Sequence, residues 1–389
     1  MSNRPNIEQV VAAAKSLAPE LLRIVRELYD APELPLMEKK AAALLTGMLR
    51  NNGFEIKQGV AGMETAFIGT SGSGSPSIAL IAEMDGLPGL GHACGHNIIA
   101  AASIGAALIL NKLLPAGSAT IRIFGTPAEE LGIGKIEMIK AGCFEGTDFA
   151  MMVHPSSKRQ VIKHFLGLAK VRFTFHGRAA HAAAYPEDGV NALDAVIQTF
   201  NSVNAMRQQT RQDVRIHGII TDGGVAPNII PARGSCYFYV RADDLKELER
   251  SKERLISCAK AAGLATGCTL EIEEDPRIIA PMKILPAFYR IYSEQLALLG
   301  LEESEAPQDK NKGSSDIGNL SQTVPTIHPH VPIGEGINIH TEGFAAATVS
   351  KRGELAAEEG ATALALTAIE LIFSPARRAD ISKEFRESA

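Results

Sequence analysis

The chain has 389 residues, of which 46% are hydrophobic and 21% are charged, and its net charge at pH 7 is −5. Apolar residues are too abundant for a disordered chain. A mildly acidic protein without basic runs is a poor binder of nucleic acid or of anionic membranes. The composition therefore indicates a globular protein, and at roughly 150 residues per domain its length predicts about two to three domains.

The sequence also bears on where the protein works. Its first residues are polar and then amphipathic, so we expect no secretory signal. The longest apolar run, 98–110, is shorter than the roughly 20 residues that span a bilayer, and it predicts a buried helix. The five cysteines are widely spaced and form no CxxC pair, which argues against a disulfide framework or a structural zinc module. We therefore expect a cytoplasmic protein.

The first part of the chain alternates helices and strands. The predicted elements are helices over 7–30 and 36–52, short strands over 54–60, 64–70 and 77–85, a helix over 97–113, a strand over 119–125, a helix over 134–141 and a strand over 147–154. The Gly/Ser-rich stretch 71–77 predicts a turn or loop. This alternation predicts a mixed, mostly parallel sheet flanked by helices.

The pattern changes after about residue 165. The predicted elements there are a strand over 167–176, a helix over 189–207, strands over 214–221 and 233–241, a helix over 244–263 and a strand over 268–274. This β-α-β-β-α-β order is that of a ferredoxin-like unit. Long helices return over 285–299 and 350–372, and the polar tail from Arg377 predicts a solvated end. The predicted architecture is an α/β domain over 1–166 and 285–389, interrupted by an α+β insert over 167–284.

Residues that can bind metal follow the first apolar strand. Asp85 closes this strand, and a Gly-rich segment after it carries His92, Cys94 and His96. Cysteine and histidine together suit zinc and similar transition metals, and an aspartate can orient such a ligand. A nucleotide-binding loop is the alternative, but the glycine spacing does not match the usual fingerprint. A buried cysteine with two surface histidines is the other alternative.

Two adjacent carboxylates, Glu129 and Glu130, follow the strand over 119–125. Most Glu-Glu pairs lie on a solvated surface, but this pair follows a buried strand and not a helix face. In a metal site one carboxylate can bind the ion while its neighbour takes a proton from water. The pair therefore predicts metal-assisted hydrolysis if the other ligands lie nearby.

Several histidines are candidates to complete such a site. His154 ends the apolar strand over 147–154, where a histidine is more often a core or edge residue; the other strand-end sites favour metal ligation. Three later histidines are further candidates, and spacing alone does not choose among His328, His330 and His340. The chain has no H-E-x-x-H, P-loop or G-x-S-x-G motif, so a single-motif zinc peptidase, an NTPase and a serine hydrolase with the usual elbow are not supported.

The order of these motifs resembles that of the aminoacylase/glutamate-carboxypeptidase family of di-metal peptidases. The segments are MDGLP and GHACGHN, GTPAEE, VHP, HGRAAHAA, APNIIPARG and a late IHT. They are most similar to the amidohydrolase branch, which includes hippurate, auxin-conjugate and aminobenzoyl-glutamate hydrolases. Asn97 stands where that branch commonly has Asp, as in the subgroup with aminobenzoyl-glutamate hydrolase subunits and a dipeptidase for β-alanyl or basic dipeptides.

The resemblance implies a role for each matching residue of the α/β domain. Glu129 is implied as the general base, and Asp85 as the residue that orients a ligand. The implied metal ligands are Cys94, His96, Glu130, His154 and His340, with His328 as the reserve for the last. Two divalent ions per subunit are implied; a thiolate favours zinc, while manganese, cobalt or nickel can also occupy a mixed site.

The resemblance also implies that the insert is a lid and dimerisation domain. His181 is implied to stabilise the tetrahedral oxyanion, often in the partner's active site, and Asn228 to bind the substrate. Arg241 is a further candidate for a carboxylate contact, with a structural arginine as an equal alternative. The expected assembly is a homodimer, with a second type of subunit as the alternative if the likeness to aminobenzoyl-glutamate hydrolase is close.

The leading hypothesis is a metal-dependent amidohydrolase that cleaves an N-acyl amino acid or a similar small carboxylate-bearing amide. A dipeptidase is the alternative within enzymes. A non-catalytic metal-dependent binding protein is the alternative from another class, but it has no use for a base beside a ligand. A structural zinc protein needs a closed set of four ligands, and this chain has more candidates than that.

Overall fold

The computed structural model of the protein describes residues 4–304 and 313–388. The helices of these residues are α1 Ile7–Asp30, α2 Lys39–Asn51, α3 His96–Leu113, α4 Gly134–Lys140, α5 Ala192–Met206, α6 Leu245–Thr266, α7 Pro286–Leu298, α8 Ile317–Thr323, α9 Glu342–Thr348, α10 Lys351–Phe373 and α11 Pro375–Glu387. The strands are β1 Glu55–Gln58, β2 Phe67–Gly72, β3 Ser77–Glu83, β4 Thr120–Thr126, β5 Phe149–Met151, β6 His154–Ser156, β7 Gly167–His176, β8 Arg215–Asp222, β9 Arg233–Ala242, β10 Thr269–Glu274, β11 Thr326–Ile327 and β12 His330–Pro332.

The described residues form two compact units. One contains residues 4–164, 282–304 and 315–388, and the other contains residues 165–281 with 313–314. Each has its own cluster of buried apolar side chains. The first unit is thus built from separate stretches of chain, with the second unit encoded between them.

The first unit contains a six-stranded sheet in the order β1-β2-β4-β3-β5-β11. Strands β4, β3, β5 and β11 run parallel to one another, while β2 runs antiparallel to both of its neighbours, β4 and β1. Every side chain of β3 is buried, as expected for a central parallel strand. The prediction of a mixed, mostly parallel sheet is confirmed.

Helix α3 is buried along most of its length and packs against α1, α10 and β3. By length and composition alone, it is the one helix among the described residues that could cross a membrane, and 83% of its 18 residues are buried in the protein. It therefore has the environment of a core helix, as the apolar run 98–110 predicted.

The second unit contains a four-stranded antiparallel sheet in the order β10-β7-β9-β8, with helices α5 and α6 packed against it. The chain order β7-α5-β8-β9-α6-β10 together with this strand order is the ferredoxin-like arrangement. The predicted α+β fold of the insert is confirmed.

Several local predictions were wrong. The tail from Arg377 is largely solvated but was not predicted to be helical or packed: it lies in α11, where Ile381 is fully buried and Arg377 pairs with Glu294 and Glu370. The predicted strand 147–154 is divided into β5 and β6, and β6 pairs with β12 in a separate two-stranded sheet. Two short helices, α8 and α9, were not predicted.

Candidate active site

The candidate ligands of the first unit come from the carboxyl ends of neighbouring strands. Strands β3 and β4 run in parallel register, with Glu83 opposite Thr126. Asp85 follows β3, Glu129 and Glu130 follow β4, and His154 begins β6. Loops at the same edge of a parallel sheet lie close together, and ligands commonly bind there.

The Cys94–Gly95–His96 turn brings two ligand-type side chains to one point. Gly95 has φ = 84° and directly precedes α3. A Cβ on Gly95 would lie only 2.2 Å from the ring of Pro155, so the turn leaves no room for a side chain. Glycine therefore allows this loop to pack against the residue that follows His154.

Hydrogen bonds fix the orientation of His96. Its Nδ1 lies 2.8 Å from the backbone oxygen of Asp85 and 3.1 Å from Asp85 Oδ1. Since both are acceptors, Nδ1 carries the proton and donates it, and the lone pair of Nε2 faces the interior of the site. This is the arrangement that orients a metal-binding histidine.

Two buried carboxylates hold the Glu129–Glu130 turn. Ala128 has the left-handed value φ = 56°, and its N–H donates to Glu38 Oε1 at 3.0 Å. The next two N–H groups, of Glu129 and Glu130, donate to the two oxygens of Asp85 at 3.2 and 3.1 Å. Strained backbone of this kind persists only where its surroundings determine it, and it clusters at active sites.

His154 lies next to the cysteine. Its Nδ1 donates to the backbone oxygen of Pro155 at 2.7 Å, and its Nε2 lies 3.5 Å from Cys94 Sγ. Burial lowers the pKa of His154 to about 4, so that its imidazole is neutral near pH 7. A neutral imidazole beside a thiol is a metal-binding pair.

The late histidine near this site is His340. Its Nε2 lies 3.6 Å from Glu130 Oε1, and its backbone N–H donates to the Ala93 oxygen at 2.9 Å. It also adopts a left-handed φ of 64°. His328 is buried with its ring 5.3 Å from that of His154, and it belongs to none of the candidate ligand groups among the described residues. The geometry therefore favours His340 over His328.

Seven residues form what we call the ligand cluster. Their potential ligand atoms fall into three groups, within each of which the atoms lie within 4.8 Å of one another. Cys94 is shared by two groups and His96 by two. The groups are Cys94–His96–His154, Cys94–Glu130–His340 and Glu83–His96–Glu129.

The ligand cluster is suited to divalent cations. The buried atoms His96 Nε2 and Glu130 Oε1 have no hydrogen-bond partner among the described residues. His96 Nε2 is 3.8 Å from Glu129 Oε2 and 4.0 Å from Glu130 Oε1, so that acceptors face acceptors. A cation between them would satisfy these atoms, and a set of thiol, imidazole and carboxylate ligands suits zinc, manganese and related ions.

The pKa values point to the same excess of negative charge. Burial acts to lower the pKa of His96, but Cys94 and Asp85 outweigh it and raise this pKa well above its ordinary value. Burial, followed by the charges of Glu83 and Asp316, raises the pKa of Glu129 well above its usual range. Without a cation, the site therefore retains protons that metal binding would displace.

Three charged residues in or beside the ligand cluster received no role from the sequence: Glu83, Lys135 and Asp316. Glu83 ends β3 with 1% of its side chain exposed, and Lys135 Nζ lies 2.6 Å from its Oε1. The same ammonium lies 2.6 Å from Asp316 Oδ1. The signal for Glu83 was its place two residues before Asp85; nothing local in the sequence links Lys135 to Asp316.

The second unit brings His181 and Asn228 together. The backbones of His181 and Ile229 form a β-bridge, and the Ala182 N–H donates to the backbone oxygen of Asn228 at 3.0 Å. His181 Nδ1 accepts from the N–H groups of Ala183 and Ala184, at 3.3 and 3.1 Å. Nδ1 is thus an acceptor, and in the neutral ring the exposed Nε2 carries the proton and can donate it.

Arg241 lies on β9 of the four-stranded sheet, opposite Leu168 at the start of β7. His181 follows the other end of β7, which at the usual rise per residue of a strand lies about 25 Å from Leu168. The guanidinium of Arg241 donates to Ser314 Oγ at 2.6 Å. The structure therefore does not bring Arg241 together with His181 and Asn228.

Comparison with known proteins gives matches in both units. Residues 164–266 match the family model described as a peptidase dimerisation domain. Over 97% of its length, the chain is 38% identical to the Xaa-Arg dipeptidase of Mus musculus, and the match covers 91% of that protein. Over 65% of its length, it is 32% identical to one of the subunits of p-aminobenzoyl-glutamate hydrolase from Escherichia coli (strain K12), with 57% of that protein covered.

A solved structure extends the likeness to the whole fold. A Bacillus subtilis protein described as a dinuclear metal binding peptidase from the M20 family superposes with a TM-score of 0.71 at 19% identity. The match covers 92% of this chain and 99% of that one. At this identity the likeness shows the fold, while the closer sequence relatives carry the family assignment.

The fold and the ligand cluster together define a class of protein. It is that of hydrolases with an α/β unit, a smaller α+β unit, and potential metal ligands at the carboxyl edge of the parallel strands. The chain belongs to the M20 peptidase family, as its identity to the dipeptidase and its dimerisation-domain match show. It is accordingly a hydrolase of amide bonds. The predicted family and reaction class are confirmed, whereas the roles of individual residues stay predictions.

Proposed function

We propose that the protein is a two-metal amidohydrolase that cleaves an N-acyl amino acid or a similar small amide bearing a carboxylate. The observation that carries this proposal is the pair of ligand groups that share Cys94, with Glu129 Oε2 3.8 Å from His96 Nε2 of the first group. The two ions, zinc or manganese by preference and cobalt or nickel as alternatives, would be held by Cys94, His96, Glu130, His154 and His340.

When bound, such ions lower the pKa of water and stabilise negative charge on a carbonyl oxygen. The protein's own groups perform the remaining tasks. Glu129 takes the proton from the attacking water and gives it to the departing nitrogen, and its raised pKa suits a group that must hold a proton between these steps. Asp85 holds both His96 and the Glu129–Glu130 turn in position.

The second unit supplies the proposed substrate contacts. The outward Nε2–H of His181 is a donor for the oxyanion that forms when water attacks the amide, and Asn228 beside it can bind the substrate's carbonyl or carboxylate. Arg241, engaged with Ser314 at the other end of the sheet, is better explained as a structural arginine.

A dipeptidase is the second candidate, and the 38% identity to a protein named Xaa-Arg dipeptidase favours it specifically. The chemistry is the same, since a dipeptide is an N-acyl amino acid whose acyl group carries an amine. A non-catalytic binding protein has less support, because Glu129 would then lie without function beside Glu130.

We further propose a homodimer formed through the second unit. Strand β8 is an edge strand of its sheet, and Ile219 on this strand is 63% exposed while Val225 in the following loop is 89% exposed. An edge strand with exposed apolar side chains is a favourable surface for pairing with a second copy. An Ile219→Asp variant should therefore sediment as a smaller species than the wild type.

The proposed location is the cytoplasm. All five cysteines are free, which suits a reducing compartment because disulfides are rare there. Fractionation of cells that express the tagged protein would test this.

Hydrolysis of a substrate panel tests the proposed reaction. The panel contains N-acetyl and N-benzoyl amino acids, p-aminobenzoyl-glutamate, and dipeptides with C-terminal Arg, Lys or an apolar residue, each with added Mn²⁺ or Zn²⁺. We expect release of a free amino acid from at least one class, and its loss on chelation. Preference for dipeptides would select the second candidate, and inactivity on every class under every metal condition would contradict both.

A further inference from the structure

Glu83 is a buried carboxylate to which sequence analysis assigned no role. Its side chain is 1% exposed, and its Oε2 lies 3.4 Å from His96 Nε2. Because His96 Nδ1 donates a hydrogen bond to Asp85, Nε2 is the ring nitrogen that faces this carboxylate. At this distance either a proton on Nε2 or a metal ion must lie between the two atoms, and metal binding displaces such a proton.

The separation suits two ligands of the same ion. Ligands of a tetrahedral zinc ion, each about 2.1 Å from it, lie roughly 3.4 Å from one another. Cys94 Sγ and His154 Nε2, themselves 3.5 Å apart, belong to the other candidate group that contains His96. Glu83 belongs with Glu129 to the second candidate group that contains His96, and it thus lies where a further ligand of an ion bound to His96 would be.

A buried ion pair holds the other oxygen of this carboxylate. Lys135 Nζ lies 2.6 Å from Glu83 Oε1 and 2.6 Å from Asp316 Oδ1, and Lys135 N–H donates to Asp316 Oδ2 at 3.0 Å. Gly134, directly before Lys135, packs closely against the backbone oxygen of Pro127. Only glycine fits there, because a Cβ would lie 1.8 Å from that oxygen. With Oε1 engaged by the ammonium, Oε2 is the oxygen directed at His96.

The charges of this triad do not cancel. Glu83, Lys135 and Asp316 are all fully buried, and two carboxylates against one ammonium leave one negative charge. Burying an uncompensated charge costs several kcal/mol, so such a triad contributes little to stability by itself. A positive charge next to Glu83 Oε2 would remove the imbalance, and either a proton on His96 Nε2 or a bound metal ion can supply it.

We propose that Glu83 is an additional metal ligand, held in position by the Lys135–Asp316 pair. It would bind the same ion as His96, so this inference rests on the metal site of the proposed function. An added carboxylate makes a thiol and imidazole set more suitable for harder ions such as Mn²⁺. Glu83 would therefore also bias the metal preference of this ion position.

Glu83→Gln tests the proposal, because it preserves size and removes the charge. We expect affinity for Mn²⁺, measured by competition with a chelator, to fall about 10- to 100-fold, with a smaller loss for Zn²⁺. The visible absorption of the Co²⁺-substituted protein should also change. Glu359→Gln is the matched control: Glu359 is a partly buried carboxylate paired with Arg159 and Arg352, and this variant should match the wild type in both measurements.

A second variant covers the case in which Glu83→Gln does not fold. The double substitution Lys135→Met with Asp316→Asn keeps Glu83, leaves the net charge unchanged and removes the groups that hold the carboxylate. We expect a weaker Mn²⁺ affinity and a shifted Co²⁺ spectrum here too, with a smaller loss than for Glu83→Gln.

Two different results would contradict this inference, and they can be told apart. Wild-type affinity and spectrum in the folded variants would overturn the role of Glu83 while leaving the two-metal site intact; Glu83 would then only pair with a protonated His96. Failure of the wild type itself to bind divalent ions would overturn both this inference and the proposed function.

Discussion

The two units present their candidate functional residues in opposite ways. In the first unit, the ligand cluster is largely buried, and His96, His154 and the Glu129–Glu130 turn are held by hydrogen bonds from their non-ligating atoms. In the second unit, His181 and Asn228 are exposed, and the hydrogen bonds at these two residues come from backbone N–H groups. The first arrangement is preorganised with an excess of buried negative charge, while the second offers donors at a surface.

This comparison separates two kinds of residue experimentally. Buried ligands and the groups that orient them should affect metal binding. Exposed donors should affect turnover without affecting metal binding. Glu129 is an exception among the residues of the ligand cluster. Because its proposed role is proton transfer, its substitution should affect turnover and not metal binding.

Glu129→Gln should have the largest effect. Removing the base should lower kcat by about 10²- to 10⁴-fold while both ions remain bound, because the amide retains the size of the carboxylate but cannot take up the proton. Steady-state kinetics and metal analysis on the same preparation check this. Glu130→Gln is the contrasting variant and should lose metal; unchanged turnover in Glu129→Gln would remove Glu129 from the chemistry.

His181→Ala should come next. Loss of an oxyanion donor lowers kcat by about 10²- to 10³-fold, and metal content should stay at the wild-type level. His176→Ala is a suitable control, because His176 is another exposed histidine of the same unit and pairs with Glu271. If both variants turn over at the wild-type rate, the second unit supplies no oxyanion contact through His181.

Asp85→Asn should have a smaller effect than these two variants, and its effect should be on metal affinity. Loss of the carboxylate weakens the hold on His96 and on the turn after Ala128, so affinity for Zn²⁺ should fall about 10- to 100-fold. Asp148 is the control, because its carboxylate also accepts a backbone N–H, that of Ser77, at the opposite end of β3. Equal metal affinities in Asp85→Asn and Asp148→Asn would contradict the positioning role.

Glu370→Gln should have the smallest effect, on stability alone. Burial acts to raise the pKa of Glu370, but Ser374, Arg4 and Arg377 outweigh it and hold the pKa below its ordinary value. The ion pairs therefore stabilise the fold above the unfolded-state pKa of about 4.3, and this contribution disappears as the pH falls through the folded-state pKa. Thermal unfolding should show a loss of up to about 1 kcal/mol at pH 7 that shrinks progressively as the pH is lowered below about 4, with metal content unchanged. A difference that stayed constant as the pH was lowered to the acid limit of folding would exclude the ion pairs as its cause.

Local patterns in the sequence were sufficient for most of the fold. The apolar run of β3, the alternation of strands and helices, and the β-α-β-β-α-β order all have local signatures. The packing of the tail from Arg377 was not predicted because its composition is polar, and the contacts of Arg377 with Glu294 and Glu370 are not visible in the local pattern of that tail. Such pairing becomes evident only once the helices are packed.

The candidate site was predictable to the extent that it depends on strand ends. Cys94, Glu130 and His154 follow or begin successive strands, so their convergence could be inferred from a parallel sheet. The Lys135–Asp316 pair could not be inferred, because Lys135 lies in a short helix of ordinary composition and Asp316 comes 181 residues later. A buried charge becomes recognisable only when its surroundings are known.

Metal stoichiometry is the measurement that tests the central claim most directly. The protein as purified, the chelated protein and the chelated protein resupplied with Zn²⁺ or Mn²⁺ would be analysed for bound metal and assayed on the same substrate. The account predicts nearly two ions per chain, loss of hydrolysis on their removal, and recovery when they return. Hydrolysis that persists in metal-free protein, or saturation at one ion per chain with full activity, would contradict it.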